Sequence, residues 1–225
     1  MRHMHVVQQM KKIIDEGLIG EVQAVWCRHF VGDGGDYYFK DWHAERVRSS
    51  TLLLQKGAHD LDVIHYLAGG SSEVVQGLGA LMVYGDTAGR AGTTGQLMQD
   101  WYSRDNWPPR AQTNMNPVID VEDISMLQMR LSNGVVASYQ QCHFTPDYWR
   151  NYTVIGDAGR LENFGDGEGG VIRVWNRRHG YQAKGDLEFP IVGDAGGHGD
   201  ADMLTMAEFL SFIRDGKETV ATVEA

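Results

Sequence analysis

Cysteine and long apolar runs are both scarce in this sequence of 225 residues. The two cysteines, Cys27 and Cys142, lie far apart and in no CxxC spacing, which excludes a disulfide framework and a thiolate zinc site. We therefore expect a reducing compartment, the cytoplasm. No apolar run approaches the roughly 20 residues that would span a bilayer, and the amino-terminal residues lack a signal-peptide pattern. A membrane is therefore not an expected partner.

Basic residues are also in deficit, because 20 lysines and arginines face 30 aspartates and glutamates and leave a net charge of -10. Binding to a nucleic-acid backbone depends on a basic surface, so nucleic acid is not an expected partner either. A small neutral or phosphate-free ligand fits this composition better. With 42% hydrophobic residues the chain can fill one core, and we expect one domain over residues 1–225.

The first elements that the sequence does contain are a helix, a strand and an irregular segment. Val6, Met10 and Ile13 recur at helical spacing before Gly17, which suits a helix C-cap. Residues 21–30 (EVQAVWCRHF) are rich in β-branched and aromatic side chains and predict a strand. Residues 32–50 then mix glycines, aromatics and charges without periodicity, which is typical of a functional loop.

The second half of the chain has the pattern of an antiparallel sheet. DISMLQMRL and VVASYQQCHF flank Ser132-Asn133-Gly134, and Asn-Gly supplies the positive φ angles of a tight hairpin turn. Further short strands are predicted at 151–155, 160–163, 171–175 and 187–191, followed by a helix that ends at Gly216. Runs of strand with helices at the ends predict an α+β fold, a sheet with helices on one face.

The segment LLLQKGAHDLDVIHYLAGG, residues 52–70, combines an apolar stripe with a cluster of polar residues. We expect a helix from about Leu54. Its two faces would carry Leu61, Ile64 and Ala68 on one side and His59, Asp62 and Tyr66 on the other. From spacing alone, His59 is either an active-site group or a partly buried histidine held by Asp62, and periodicity leaves both interpretations open.

Four segments, in this order, resemble the Gfo/Idh/MocA family of nicotinamide-dependent sugar and polyol oxidoreductases: DEGLIGEV at 15–22, residues 52–70, DISMLQMRLSNGVVASY at 123–139 and VIGDAGRLEN at 154–163. The G-x-H-x-x-D pattern at Gly57, His59 and Asp62 resembles the signature of the family's second domain. The similarity runs from near residue 1 to about Lys217. It implies an open, mostly antiparallel sheet with helices on one face, like the C-terminal domain of glyceraldehyde-3-phosphate dehydrogenase.

The resemblance also implies roles for individual residues. His59 falls on the family's histidine, which contacts the substrate hydroxyl and assists its deprotonation. Many family members carry aspartate four residues earlier, where this chain has Gln55, which cannot act as a base. The exposed sheet face implies dimers or tetramers. The candidate substrate contacts are Gln55, Asp62, Trp42, His43, Arg46 and His198.

Two family features are missing from this sequence. Family members begin with a Rossmann domain that has a glycine-rich phosphate loop, and a Glu-Lys-Pro segment places a lysine beside the reacting carbon. The glycine patterns here, at 32–35 and 165–170, do not lie between a parallel strand and a helix. We therefore expect a substrate-binding and oligomerisation domain, with a first helix at 1–20 and a body at 21–217. NAD or NADP would bind the longer parent enzyme, and the isolated chain would bind neither and be inactive.

Two other functions stay open. A metal-dependent hydrolase or lyase could use His59, Asp60 or Asp62, and His65, although the two histidines would point about 120° apart on one helix. Alternatively, the chain could be a non-catalytic module that self-associates, because its second half has too few helices to cover both faces of a sheet. For such an association we expect a large interface of roughly 2,000 Å² or more.

Overall fold

The computed structural model describes residues 1–93, 95–193 and 201–220, and its centre is a sheet with the strand order β2-β3-β4-β1-β5-β6-β7-β8. Neighbouring strands of this sheet are antiparallel, except that β1 and β4 run parallel. The strands are β1 Val22–Val31, β2 Ser72–Ala80, β3 Ile124–Leu131, β4 Val136–Cys142, β5 Tyr148–Gly156, β6 Arg160–Phe164, β7 Val171–Trp175 and β8 Leu187–Pro190. The prediction of an open, mostly antiparallel sheet is confirmed.

Helices cover one face of this sheet. The α-helices are α1 His5–Asp15, α2 Arg46–Ser49, α3 Ala58–Ala68, α4 Met98–Trp101 and α5 Ala201–Asp215. Helix α3 packs on β1 and β4, and α1 packs on α3. Val6, Val7 and Met10 of α1 are fully buried, so the amphipathic pattern of this segment does form a helix on the core. None of the helices in the described ranges is long and apolar enough to cross a membrane.

Alternation along β1 explains why the sheet has one covered face. Val25, Cys27 and Val31 are buried on the helix side, whereas Trp26 and Arg28 are exposed on the other side. The main core lies between this inner face and helices α1 and α3. A second, smaller core fixes the 32–50 segment, and its members include Val31, Phe39, Leu52, Tyr84 and Met115.

The 32–50 segment is more regular than its composition indicates. It contains a π-helical turn at Gly35–Phe39, a 3₁₀ turn at Trp42–Ala44 and helix α2. These short pieces are held together by the burial of Tyr38, Phe39 and Ala44. Tyr38 and Phe39 of this segment therefore pack beside the sheet as part of the second core.

Three local predictions need correction. In the hairpin turn only Gly134 has a positive φ, at 87°, whereas Asn133 does not. Strand β2 was not predicted, because Gly77 and Gly79 weaken its strand pattern. In residues 52–70 a π-helical turn, Leu53–Gly57, precedes α3, so the α-helix does not begin near Leu54.

The predicted apolar face of α3 is confirmed for Ile64 and Ala68 but was incomplete. The buried residues are Asp60, Val63, Ile64, Leu67 and Ala68, whereas Leu61 is only half-buried. A carboxylate therefore occupies the centre of the buried stripe. A hydrophobic pattern cannot predict this position, because burial of a charge depends on the partners that the rest of the fold brings to it.

Candidate substrate-binding site

The carboxylate of Asp60, fully buried under the first turn of α3, has four partners from three strands. Tyr152 and Tyr139 donate hydrogen bonds of 2.6 and 3.0 Å to its two oxygens. His29 Nδ1 lies 2.9 Å from Oδ2, and Arg150 Nε lies 3.2 Å from Oδ1. We call these five residues the Asp60 cluster. It ties α3 to β1, β4 and β5.

Electrostatics inside the Asp60 cluster favour the charged carboxylate. Burial alone would raise the pKa of Asp60, but the contacts with His29, Arg150 and Tyr152 outweigh it and lower the pKa to about 2. Burial lowers the pKa of His29 in spite of Asp60, so that its imidazole is neutral near pH 7. The charge pair at the centre of the cluster is therefore Asp60 with Arg150.

Several buried nitrogen atoms next to this cluster have no hydrogen-bond partner within the described part of the chain. They include His29 Nε2, both ring nitrogens of His143, His43 Nδ1 and Arg150 Nη2. His29 Nδ1 and Arg150 Nε lie within ion-pair distance of Asp60, but without hydrogen-bond geometry. His143 follows β4, and burial, together with the nearby His29 and Lys56, lowers its pKa to about 3. Buried polar atoms are normally satisfied by protein, water or ligand. This region therefore contains several nitrogen atoms with unused capacity to hydrogen-bond a ligand or a water molecule.

Lys56 lies in the π-helical turn Leu53–Gly57, which precedes α3. Its ammonium is 5.6 Å from the centre of the Tyr38 ring, and the side chain is half-buried. Burial, followed by repulsion from Arg150, lowers the pKa of Lys56. Among the residues that the structure describes, Lys56 forms no ion pair with a carboxylate, unlike Lys40, which lies 2.6 Å from Asp36.

Lys56 contacts the 32–50 segment through the ring of Tyr38, which also packs against His43 and His143. The His43 ring stacks on Trp42 at 3.8 Å and meets Tyr38 edge-on at 5.3 Å. Tyr38 also meets His143 edge-on at 5.2 Å. The predicted contacts Trp42 and His43 are therefore linked to Lys56 through Tyr38, and Lys56 precedes His59 by three residues. Side chains three residues apart on a helical turn are neighbours.

His59 itself lies in the first turn of α3, and its side chain is exposed. Gln55, four residues earlier, donates a weak 3.4 Å hydrogen bond to the carbonyl of Ser49. Ser50, next to it, has a φ of 65°, a conformation that favours glycine. The roles of His59 and Gln55 stay predictions.

The remaining predicted contacts are occupied by protein groups or lie elsewhere. Both oxygens of Asp62 accept hydrogen bonds from Arg2, at 2.7 to 3.0 Å. The Arg46 guanidinium bonds the carbonyls of Asp120 and Ser50 and the carboxylate of Glu122. Their assignment to substrate stays a prediction, and His198 lies outside the described residues.

An acidic cleft of about 660 Å³ adjoins the site on the side of Tyr148. Its lining includes Asp33, Asp36, Asp147 and Trp107. The Tyr148 hydroxyl accepts a hydrogen bond from Arg150, so one residue separates the cleft from the Asp60 cluster. Carboxylates are hydrogen-bond acceptors, which suits a ligand with hydroxyl groups.

The geometry does not support the alternative of a metal site on α3. His65 Nε2 lies 2.8 Å from Ser72 Oγ, whereas Asp60 and Asp62 face their own partners. Across the described ranges, no three His, Cys, Asp or Glu side chains converge as metal ligands would. The histidine and aspartates of this segment therefore serve separate contacts.

The described residues also do not fit a dinucleotide. Gly32 and Gly34 pack so closely that a Cβ would lie 2.6 and 2.3 Å from the backbone oxygens of Asp147 and His143. Gly165–Gly170 joins the antiparallel strands β6 and β7. A Rossmann phosphate loop needs a parallel strand, a glycine turn and a helix in succession. The described residues therefore contain no such succession that could hold the pyrophosphate of a nicotinamide cofactor.

Sequence reasoning missed Lys56, Tyr38, His143 and most of the Asp60 cluster. One signal was present, because His29 shares the inward alternation of Val25 and Cys27 along β1. The sequence carries no such signal for the position of His143 or for the residues that neighbour Lys56, since both depend on how the 32–50 segment folds over the sheet.

Comparison with known proteins agrees with the fold. The profile of the GFO/IDH/MocA C-terminal domain matches residues 7–162, which is more than half of the chain. The comparison with curated proteins gave no match.

Solved structures share the architecture at low sequence identity. Levoglucosan dehydrogenase in complex with NADH and levoglucosan has a TM-score of 0.67 and 17% identity, over 96% of this chain and 56% of that chain. Aldose-aldose oxidoreductase from Caulobacter crescentus, complexed with glycerol, has a TM-score of 0.62 and 19% identity, over 98% and 53%. An oxidoreductase domain protein from Kribbella flavida has a TM-score of 0.66 and 13% identity, over 97% and 57%.

The chain thus spans about half the length of the structures it matches. Together with the mostly antiparallel sheet and the G-x-H-x-x-D turn at the start of α3, the profile match gives its classification. The chain belongs to the Gfo/Idh/MocA family, and residues 7–162 match the C-terminal domain of that family.

Proposed function

We propose that this chain is the substrate-binding part of an NAD(P)-dependent oxidoreductase that acts on a hydroxyl group of a sugar or polyol. One observation carries the proposal. In the 32–50 segment Trp42 stacks on His43 and His43 packs on Tyr38, whose ring in turn contacts Lys56 in the turn before α3. This group of aromatic and polar side chains lies at the turn before α3, the helix whose first turn carries the residue that the family resemblance assigns to the substrate hydroxyl, and such a combination is typical of ligand sites.

In this proposal His59 accepts or shares the proton of the substrate hydroxyl. Its imidazole is exposed, and histidine is the side chain that most often transfers protons near neutral pH. Gln55 can orient the substrate by hydrogen bonding but cannot remove a proton. The cofactor, which supplies or accepts the hydride, would be held by another domain, so we expect the isolated chain to be inactive.

The names of similar structures support the substrate class. They include a dehydrogenase bound to levoglucosan or L-sorbose together with NADH, and an aldose-aldose oxidoreductase. Their identity to this chain is below 20%, so they support the class of reaction and leave the particular sugar to the residues of this site.

We also propose that the chain self-associates through the open face of its sheet. Leu78 and Met126 are cross-strand neighbours on that face, and both are exposed. Trp26 and Val136 add exposed apolar surface on neighbouring strands. An apolar sheet face of this kind normally forms an interface between proteins.

Turnover of the protein that carries this chain together with a nicotinamide-binding domain tests the catalytic proposal. We expect NAD(P)-dependent oxidation of a sugar or polyol, and His59→Ala should lower kcat by roughly 10²–10⁴-fold, the usual contribution of a general acid–base group. His179→Ala, at an exposed histidine after β7, is the matched control and should leave kcat unchanged. A loss below about tenfold for His59→Ala would contradict the assignment.

A further inference from the structure

We propose that Lys56 binds the carboxylate of an acidic sugar, so that the substrate of this site is an aldonate or a uronate. This inference rests on the proposed function and adds the charge of the substrate to it. The residues that would hold the carboxylate are Lys56 and the two histidines that pack against the Tyr38 ring, His43 and His143.

The first argument is that Lys56 lacks a counter-ion. In the described ranges its one aromatic contact is Tyr38, and its nearest acidic influence is Asp60, four residues later. Both oxygens of Asp60 are already engaged by Arg150, His29 and two tyrosines. A half-buried ammonium without a carboxylate is costly, and an anionic ligand would remove that cost.

The second argument is the supply of unused nitrogen atoms beside Lys56. Both nitrogens of His143 and Nδ1 of His43 are buried without a partner in the described part of the chain. His143 contributes from the end of β4 and His43 from the 3₁₀ turn, so two separate parts of the fold face Lys56. A carboxylate offers two oxygens and about four acceptor positions to such groups.

The third argument concerns the magnitude and the place of the charge. Burial lowers the pKa of both His43 and His143, so both rings are neutral near pH 7 and the positive charge beside the Tyr38 ring is that of Lys56. One ammonium matches the single charge of a carboxylate better than the double charge of a phosphate monoester. The cleft beyond Tyr148 is lined by Asp33 and Asp147, by Asp36, which is paired with Lys40 at 2.6 Å, and by one cation, Arg104. Carboxylates outnumber cations in this lining, which disfavours an anion there. The hydroxyl groups of the substrate fit that cleft, and its acidic end fits Lys56.

The experiment compares the binding of D-glucuronate and D-glucose, which differ in charge at one carbon, to the purified protein by calorimetry at pH 7. We expect D-glucuronate to bind at least about tenfold more tightly, as for a charge-assisted hydrogen bond. Lys56→Met should reduce this preference to within about twofold, and Lys56→Arg should keep most of it. Lys184→Met, at an exposed lysine, removes the same charge elsewhere and is the control.

Wild-type protein gives a second test that does not depend on how the variants fold. The preference should disappear as pH rises through the pKa of Lys56, which burial places below that of an ordinary lysine. The groups that face Lys56 and titrate or carry charge are Tyr38, His43, His143, His29, Arg150 and Asp60. The histidines among them are neutral, and Asp60 and Arg150 charged, from pH 7 upward.

Three results would overturn the inference: equal affinity for the two sugars, an unchanged preference in Lys56→Met, or tighter binding of D-glucose 6-phosphate than of D-glucuronate. These measurements need no cofactor and no turnover. An enzyme that oxidises neutral sugars without preference for acids would therefore refute the role of Lys56 and leave the proposed function intact.

Discussion

At the scale of single residues, we expect the buried histidines to make the stability of this protein sensitive to acid. His143 is fully buried, and burial, with help from His29 and Lys56, lowers its pKa to about 3. In the unfolded chain its pKa returns to about 6.5. Between these two values the unfolded chain binds the proton and the folded protein does not, so the free energy of unfolding falls as pH decreases from 6.5 towards 3.

Replacing this histidine should reduce the acid sensitivity. Below pH 6.5 each such buried neutral histidine lowers the free energy of unfolding by about 1.4 kcal/mol per pH unit. We expect His143→Asn to flatten the slope by about this amount, measured by urea denaturation at several pH values from 7.5 to 5. His179→Asn is the control. The pKa of His179 in the folded protein is raised, chiefly by the Gly180 carbonyl, so replacing this histidine should not flatten the slope. An unchanged slope in His143→Asn would show that the ring titrates normally.

At the scale of elements, one carboxylate fixes α3 on the sheet. Asp60 contacts β1 through His29, β4 through Tyr139 and β5 through Arg150 and Tyr152. Because α3 begins at the turn that carries Lys56 and leads to His59, the Asp60 cluster also determines where the candidate site lies over the strands. Its role is to position the site.

Two neighbouring aspartates of α3 provide a matched comparison. Asp60→Asn leaves the buried Arg150 cation with only the more distant Asp166 carboxylate, at 3.9 Å, and should cost about 3 kcal/mol of unfolding free energy. Asp62→Asn weakens the contact with Arg2 at a side chain that is 32% exposed, and should cost about 1 kcal/mol or less. Urea denaturation of both variants measures the difference, and equal losses would contradict the central place of Asp60.

At the scale of the whole molecule, the sheet has one face without helices. Val74 and Arg130, and then Leu78 and Met126, pair across β2 and β3 on this open face. Leu78 is 75% exposed and Met126 is 45% exposed, although both are large apolar residues. Burying them against a second copy of the sheet would remove apolar surface from water, which favours association.

The double variant Leu78→Glu, Met126→Glu tests this surface. We expect the wild-type protein to be at least a dimer by light scattering at micromolar concentration, and the double variant to approach the 25.1 kDa of one chain. Like charges placed opposite each other across two copies oppose association. Val47→Glu, at an exposed valine of α2 outside the sheet, should leave the mass unchanged. A wild-type monomer would refute the proposed interface.

Local patterns in the sequence determined much of the fold. The helical spacing before Gly17, the alternation on either side of Asn133 and Gly134, and the short strands after it all predicted elements that the structure contains. These features are set by residues within about ten positions of each other, which is why one sequence suffices to find them. The segment 52–70, with its G-x-H-x-x-D pattern, also gave the family.

Only the tertiary structure decided the parallel pairing of β1 with β4 and the composition of the site. Ala24 pairs with Val136 more than a hundred positions later, and Asp60 meets Tyr139 and Tyr152 across separations of 79 and 92 residues. Whether a charge such as Asp60 or Lys56 is buried, and whether it finds a counter-ion, depends on those distant contacts. The sequence supplies the chemical groups, and the long-range packing determines which of them are paired and which are left for a ligand.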